Sequence, residues 1–193
     1  AAACALHYAA RGKRTLYLNF ERFGSSDAFF AAEGQFDMSG IIFALKSKKT
    51  NLSMKMESCV KQDPRGVYFY SQSKVALDML ELGADEIGRL ISEARLSGNY
   101  EYVIADLEFG MDRASLQILR QAGAIVWTGD GSEISNRKLA RAYQALAILE
   151  QNAEVPLTAR IALIYNKFSN KSGIIGTERC QNAFICCRSI YRG

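Results

Sequence analysis

The stretch YVIADLEFG, residues 102–110, constrains the fold of this chain more than any other. Its apolar run, Tyr102–Ala105, stops abruptly at Asp106, which is typical of a buried strand in a parallel sheet. Ligands of open α/β sheets lie at the carboxyl ends of the strands, so an acid there is well placed to hold Mg²⁺ beside a phosphate. A strand followed by a solvated acid is the competing interpretation.

Apolar runs of the same length recur along the chain, separated by helical patterns with short connections. The pattern predicts an α/β fold of three layers, with a mostly parallel sheet and helices on both faces. The opening helix, residues 1–10, followed by a glycine and a strand, has the form of a βαβ unit without its first strand. The further strands are predicted at Thr15–Phe20, Val67–Tyr70, Ala124–Thr128 and Ile161–Tyr165.

Two helical details are also predicted. The polar loop after the strand at Thr15–Phe20 favours a short helix over Ala28–Ala32, with a serine or aspartate as its N-cap. A long helix follows the turn at residues 129–132, and its periodicity predicts that one stripe of side chains is buried. That stripe consists of Leu139, Tyr143, Leu146 and Leu149.

Length and composition narrow the class of protein. A chain of 193 residues is long enough for one domain with a full core. The net charge of +4 is weak support for a nucleic-acid or anionic membrane partner. No apolar run reaches the roughly 18 residues of a membrane span, and no signal-peptide pattern is present. The five cysteines contain no CxxC pair, which disfavours a disulfide framework or zinc site and favours a reducing cytoplasm.

With these elements in place, the chain resembles the ParA/MinD family of deviant-Walker P-loop ATPases, and within it the TadZ/CpaE branch of pilus-assembly ATPases. The resemblance implies a P-loop NTPase-like fold, truncated at both ends. Four stretches carry it, in the order expected for the family: AAACALHYAARGKRTLYLNFERFGSSDAFF, YVIADLEFG, IVWTGDGSEISNRKLARAY and IALIYNKFSNK.

The resemblance implies an ATPase domain over residues 1–171 without its phosphate loop, which is expected immediately before Ala1. That loop supplies most of the phosphate contacts in the family. Residues 172–193 do not resemble the family's last strand and helices, so they are treated as an atypical tail of unassigned structure.

The resemblance assigns roles to residues at the first two strand ends. Asp106 matches the Walker B acid that holds the Mg²⁺ shell. Asn19 occupies the place of a switch-loop acid that orients the attacking water, and an amide there cannot accept a proton. Glu21 stands two residues further on and is either a substitute for that acid or a surface residue. Gly110 matches a switch glycine whose backbone approaches the γ-phosphate.

Two further residues are assigned to the base of the nucleotide. Asn166 matches the family's asparagine beside the adenine. An asparagine side chain offers both a donor and an acceptor, which suits the edge of an adenine ring. Lys167 follows it and either flanks the ring or is solvated. A strand-end turn is the alternative role for Asn166.

The resemblance implies an ATP- and Mg²⁺-dependent switch that localises and assembles Tad (Flp-type) pili. It would act as an ATP-dependent homodimer with pilus machinery proteins, in the cytoplasm, at a pole or on the membrane. ATPase activity is implied for the family, whereas the chain as printed is expected to be inactive. A ParA-type partitioning ATPase and a non-hydrolysing scaffold are the alternatives, and the weak net charge disfavours DNA as a partner.

Overall fold

A computed structural model describes residues 1–48, 50–151 and 156–166. Lys167 and the tail at residues 172–193 lie outside the described residues. The described residues divide into two compact units, the first over Ala1–Ile118 and the second from Leu119 to residue 166.

The first unit alternates helices and strands. Its last helix, α6, continues across the boundary into the second unit. In chain order the elements are α1 (Ala2–Ala9), β1 (Thr15–Asn19), α2 (Met38–Lys46), α3 (Leu52–Cys59), β2 (Lys61–Gln62), β3 (Val67–Phe69), α4 (Ala76–Leu80), α5 (Ala84–Leu96), β4 (Tyr102–Asp106) and α6 (Arg113–Gln121).

The strands of the first unit form one sheet in the order β2-β3-β1-β4. β1 lies between β3 and β4 and runs parallel to both, while the two-residue β2 is antiparallel to β3. All five residues of β1 are buried, as expected for a central strand covered on both faces. β4 lies at the edge of this sheet.

Helices cover both faces of β1. Leu16 and Leu18 point into an apolar core that also contains buried residues of α2, α3 and α5. On the opposite face α1 packs on β1 and β4, where the rings of Tyr8 and Tyr102 stack with centroids 4.0 Å apart. Tyr17 lies on the face of β1 opposite to Leu16 and Leu18, and its ring centroid is 4.9 Å from that of Phe30. The predicted three-layer α/β fold is confirmed.

The second unit contains β5 (Ile125–Gly129), α7 (Glu133–Glu150) and β6 (Ile161–Tyr165). β5 and β6 pair in parallel, with Ile125 opposite Ile161 and Gly129 opposite Tyr165. The expectation that the four main strands run in one direction is thus confirmed for each pair within its own sheet: β1 with β4, and β5 with β6.

Two of the helical predictions are wrong in part. In place of a helix over Ala28–Ala32 there is a single 3₁₀ turn over Ser26–Ala28, because Phe30 is buried in the core and the residues after it form no regular secondary structure. In α7, Leu139 and Leu146 are buried as predicted, but Tyr143 and Leu149 are 47% and 45% exposed. The buried stripe of α7 therefore consists of Leu139 and Leu146 and is narrower than the four-residue stripe predicted from the periodicity.

No helix among the described residues is both long enough and apolar enough to cross a membrane.

A buried carboxylate organises the turn between β2 and β3. Asp63 is 2% exposed and accepts hydrogen bonds from the Arg65 guanidinium at 2.8 and 3.0 Å and from the Ala31 N–H at 2.9 Å. The Arg65 guanidinium and the amide donors of Ala31 and Arg65 hold the pKa of Asp63 well below its usual range, against the opposing effect of burial. This carboxylate therefore joins the turn to the segment that carries Phe30.

Replacing this carboxylate should make stability depend differently on pH. A carboxyl group whose folded pKa is depressed stabilises the fold above its unfolded pKa of about 4, and this stabilisation is lost as the pH falls below that value. We expect Asp63→Asn to lower the free energy of unfolding by about 1–3 kcal/mol at neutral pH, because buried donors lose their charged acceptor. The difference from wild type should narrow as urea titrations are repeated at pH values below about 4.

Asp85→Asn, in the exposed first turn of α5, is the control and should cost no more than about 1 kcal/mol at neutral pH. A deficit for Asp63→Asn that stays constant down to acid pH would contradict the role given to this carboxylate.

Candidate functional site

The two residues predicted from strand ends are brought together by the sheet. Asn19 ends β1, Asp106 ends β4, and the two are register partners in the parallel pair. Partners in a parallel pair face the same side of the sheet, so both side chains lie at one carboxyl edge. The Phe20 N–H continues the ladder by donating to the Asp106 carbonyl at 2.9 Å.

The Asp106 carboxylate is held by a tyrosine from the neighbouring strand. The Tyr17 hydroxyl donates to Asp106 Oδ2 at 2.6 Å, and the tyrosine is 1% exposed. Burial, followed by the hydrogen bond to Asp106, raises the pKa of Tyr17 far above its usual range, so the hydroxyl remains a donor. Among the described residues no donor reaches Oδ1, which is therefore the oxygen that a ligand can use.

Asn19 has an unsatisfied donor. The residue is 8% exposed, and its Oδ1 accepts the Glu21 N–H at 2.8 Å, which fixes the orientation of the amide. Its Nδ2 is buried and has no hydrogen-bond partner among the described residues. A buried donor left unpaired costs about 1–3 kcal/mol, so this amide group is suited to bind an oxygen atom supplied by a ligand.

Gly24 is required by the loop that follows β1. A Cβ atom at this position would lie 2.5 Å from both Nδ2 and Oδ1 of Asn19, closer than real Cβ contacts allow. The Gly24 N–H donates to the Glu21 carbonyl at 3.2 Å, which closes the loop over the amide. Only glycine lets this backbone approach the Asn19 side chain so closely.

The loops after β1 and β4 are linked to each other. The Arg22 N–H donates to Glu108 Oε1 at 2.9 Å, and the Arg22 guanidinium lies 3.8 Å from Glu108 Oε2. Both side chains are about half exposed, so the pair contributes little to stability and can open. Glu21 is half-buried and near Tyr17, where its charge adds to the rise in the tyrosine's pKa.

A third strand end contributes polar groups that were not predicted from the sequence. β3 runs parallel to β1, and Gln72 follows it at the same carboxyl edge. Its N–H donates to Asp27 Oδ2 at 3.2 Å, and the Ser26 hydroxyl donates to the Tyr70 carbonyl at 2.9 Å. Like Asn19 Nδ2, Gln72 Nε2 is buried without a partner among the described residues. The sequence signal for this position is the polar run that directly follows the apolar strand β3.

Gly110 lies in an exposed loop before α6. A Cβ atom there would meet Asp112 Oδ2 at 3.5 Å, an ordinary contact, and its φ is not in the left-handed region. Asp112 accepts the N–H groups of Ala114 and Ser115 at 3.0 and 3.1 Å and so caps α6. The local geometry imposes no need for glycine, and the switch role of Gly110 stays a prediction.

In the second unit Asn166 directly follows β6, as predicted, and its N–H donates to the Gly129 carbonyl at 2.7 Å. Asp130 accepts the Ser132 N–H at 2.9 Å and forms the turn before α7. That hydrogen bond is the main cause of the lowered pKa of Asp130. The adenine-side role of Asn166 stays a prediction.

Comparison with known proteins shows the fold. No protein-family model matches the chain, and no curated protein matches it. A ParA family ATPase from Chlorobium tepidum TLS matches with a TM-score of 0.65 and 18% identity, over 92% of this chain and 70% of that one. The MinC:MinD cell division protein complex of Aquifex aeolicus matches with a TM-score of 0.53 and 16% identity, over 86% and 62%.

Cobyrinic acid a,c-diamide synthase from Mycobacterium smegmatis, with a bound ATP analog and magnesium, matches with a TM-score of 0.60 and 11% identity, over 89% of this chain and 67% of that one. The chain thus spans between 62% and 70% of the three proteins, and less than two thirds of the MinD-complex chain. At these identities the likeness establishes the fold, which is that of the ParA/MinD-like P-loop ATPases.

The contact between Gly24 and Asn19 can be tested with two glycine variants. We expect Gly24→Ala to lower the free energy of unfolding by about 1–3 kcal/mol, because the added methyl group displaces an anchored amide. Gly110→Ala, which meets only an ordinary contact, should stay within about 0.5 kcal/mol of wild type in the same urea titration.

Hydrogen exchange at the Glu21 amide tests whether the loss of stability in Gly24→Ala arises at the Asn19 side chain. This N–H is bonded to Asn19 Oδ1 and should exchange faster in Gly24→Ala alone. Equal stability of the two variants would show that the loop does not rest on Asn19 in solution.

Proposed function

We propose that this chain is the nucleotide-responsive part of a ParA/MinD-like ATPase, with Mg²⁺ and ATP phosphates bound where β1 and β4 end. The observation that carries the proposal is the register pairing of Asn19 with Asp106, with one carboxylate oxygen and one buried amide donor left for a ligand. The fold shared with a ParA family ATPase supports it.

The donor set fits magnesium bound with a nucleotide. Mg²⁺ retains several waters and takes one or two carboxylates together with substrate phosphates, so a single strand-end aspartate suffices. Among the described residues no group of three His, Cys, Asp or Glu side chains could hold a metal ion by itself, in agreement with a shared site. Asp106 would hold the ion, and the ion would neutralise charge on the phosphates.

The amide donors fit phosphate oxygens or the attacking water. Asn19 Nδ2 and Gln72 Nε2 are both buried and have no partner within the part of the chain that the structure describes, and each can donate to an oxygen at this edge. An amide positions a water but cannot take its proton, and Glu21 is the nearest acid along the loop. Slow hydrolysis follows, and a non-hydrolysing scaffold on the same fold is the second candidate that Asn19 favours.

Nucleotide affinity should depend on a phosphate loop. No glycine-rich loop ending in Gly-Lys-Thr or Gly-Lys-Ser occurs in the sequence, and such a loop supplies most phosphate contacts through its backbone N–H groups. The roles proposed for Gly110 near a γ-phosphate and for Asn166 and Lys167 near an adenine rest on the family resemblance.

We expect the 193-residue chain alone to bind ATP about a thousandfold more weakly than the same chain extended at Ala1 by a strand and a glycine-rich phosphate loop that ends in Gly-Lys-Thr. Isothermal calorimetry with and without Mg²⁺ measures both. In the extended chain Asp106→Asn should reduce the gain in affinity from Mg²⁺ about tenfold or more, because an ionic ligand is lost.

Asp85→Asn removes an exposed carboxylate from α5 and should leave the magnesium effect unchanged. Micromolar ATP binding by the unextended chain would refute the dependence on the loop. An undiminished magnesium effect in Asp106→Asn would remove Asp106 from the site.

For the biological role we propose an ATP-dependent homodimer that serves Tad (Flp-type) pilus assembly from the cytoplasm, at a pole or on the membrane. The support is the resemblance of FERFGSSDAFF and DGSEISNRKLARAY to the TadZ/CpaE branch. A structural neighbour, MinD, forms a complex with MinC, which supports recruitment of a protein partner as the output of such a switch.

The alternative function, a ParA-type partitioning ATPase, would require a positively charged surface that binds DNA. A partitioning ATPase that binds DNA through phosphates should bind duplex strongly at low salt and lose affinity steeply as salt rises. Because the net charge is only +4, we expect the extended chain with ATP to bind non-specific duplex weakly even at low salt. A gel-shift titration across salt concentrations measures this, and tight, ATP-dependent, salt-sensitive binding would favour partitioning.

A further inference from the structure

The hydroxyl group that holds Asp106 belongs to the sheet and not to the loops beyond it. Tyr17 is the register partner of Ile104, so Asp106 lies two residues further along the same face of β4. The Tyr17 hydroxyl reaches across this diagonal and donates to Asp106 Oδ2 at 2.6 Å. Because both residues lie in paired strands, the sheet sets the distance between donor and acceptor.

The ring of Tyr17 is enclosed by aromatic side chains. Its centroid lies 4.9 Å from that of Phe30, whose centroid lies 5.3 Å from that of Phe69. All three residues are buried, with exposed fractions of 2% or less. Within the described part of the chain, Asp106 Oδ2 is the one hydrogen-bond partner of the hydroxyl. Moving the hydroxyl away from Asp106 would therefore leave a buried donor unpaired, which costs free energy.

The two carboxylate oxygens of Asp106 are thus not equivalent. Oδ2 faces a buried hydroxyl, whereas Oδ1 accepts no hydrogen bond from the residues that the structure describes. Asp106 is half-buried, so solvent reaches part of the residue. An ion that approaches from solvent can bind Oδ1 directly, but it can bind both oxygens only by competing with Tyr17 for Oδ2.

Magnesium and calcium ions bind carboxylates in different ways. Mg²⁺ is small, requires near-octahedral geometry and accepts one oxygen of a carboxylate while it keeps several waters. Ca²⁺ is larger, takes about six to eight oxygens and binds carboxylates through one or both oxygens. The described residues contain no group of three His, Cys, Asp or Glu side chains that could hold an ion. The number of oxygens that Asp106 itself offers therefore bears directly on which ion is favoured.

We propose that Tyr17 is a positioning residue that limits Asp106 to one metal-binding oxygen and so makes the site favour Mg²⁺ over Ca²⁺. The inference rests on the proposed function, because it requires the ion to bind at Asp106. It adds to that function a determinant of ion selectivity that lies beneath the carboxylate and does not itself touch the ion.

The test is an NMR titration of the 193-residue chain with metal chlorides alone. Mn²⁺, which shares the octahedral oxygen sites of Mg²⁺, should broaden the amide signal of Leu107, and magnesium or calcium chloride added afterwards should restore it. In Tyr17→Phe the calcium concentration that restores half of the signal should fall about threefold or more relative to the magnesium concentration, because both oxygens are then open to the larger ion. Tyr8→Phe removes the hydroxyl of a tyrosine that stacks on Tyr102 at the start of β4, away from Asp106, and should leave this ratio unchanged.

Asp106→Asn separates this inference from the function on which it rests. This variant should lose the broadening of the Leu107 signal by Mn²⁺. Broadening that is absent in wild type, or that persists in Asp106→Asn, would overturn the proposed magnesium site and this inference together. If broadening depends on Asp106 but Tyr17→Phe keeps the wild-type ratio of calcium to magnesium, the role of Tyr17 alone is wrong.

A second measurement uses wild type and does not depend on how well Tyr17→Phe folds. The buried Tyr17 hydroxyl proton should exchange with solvent slowly enough to give its own NMR signal. That signal should persist when Mg²⁺ is added at the concentration that restores the Leu107 amide, because the ion occupies Oδ1. A hydroxyl signal that is absent without metal, or that disappears with Mg²⁺, would contradict the inference, since Oδ2 would then be open to the ion.

Discussion

The hydrogen bond from the Tyr17 hydroxyl to Asp106 is the contact on which the candidate site depends. It joins the central strand to the edge strand and fixes one oxygen of the carboxylate. The tyrosine is itself held by Phe30, and the segment that carries Phe30 is anchored by the buried Asp63. The carboxylate at the sheet edge is thus supported by packing that extends to the turn before β3, so its position is set before any ligand arrives.

The site combines a rigid base with loops that can move. Tyr17 and Asp106 belong to strands whose backbone bonds are fixed by the sheet. Above them, Arg22 and Glu108 link the two loops through an exposed pair, an interaction worth about 0–1 kcal/mol. A ligand that competes for either side chain can release one loop from the other at small cost. The strand ends are therefore held more firmly than the loops that follow them.

The sequence predicts the residues whose signals are local. Asp106 and Asn19 follow apolar runs directly, so the strands and their polar ends were predicted to within about one residue, a margin expected for strand ends. Tyr17 was missed because β1 is buried on both faces and shows no alternation that would single out one side chain. The polar run after β3 marks the position of Gln72, but no local pattern encodes its contact with Asp27. The same holds for the contact of Gly24 with Asn19, whose side chain folds back over the strand end. The helix predicted at Ala28–Ala32 failed because Phe30 is drawn into the core, where tertiary packing overrides propensity.

The edge position of β4 has a consequence for what the sheet of the first unit can pair with. In the sheet order β2-β3-β1-β4 the outer side of Tyr102–Asp106 has no hydrogen-bonded strand among the described residues. The strand contains no lysine or proline and has no bulge in its register with β1, the features by which natural edges avoid pairing with other chains. Within the first unit, the same straight strand that aligns Asp106 with Asn19 therefore keeps the hydrogen-bonding geometry that a further strand can extend.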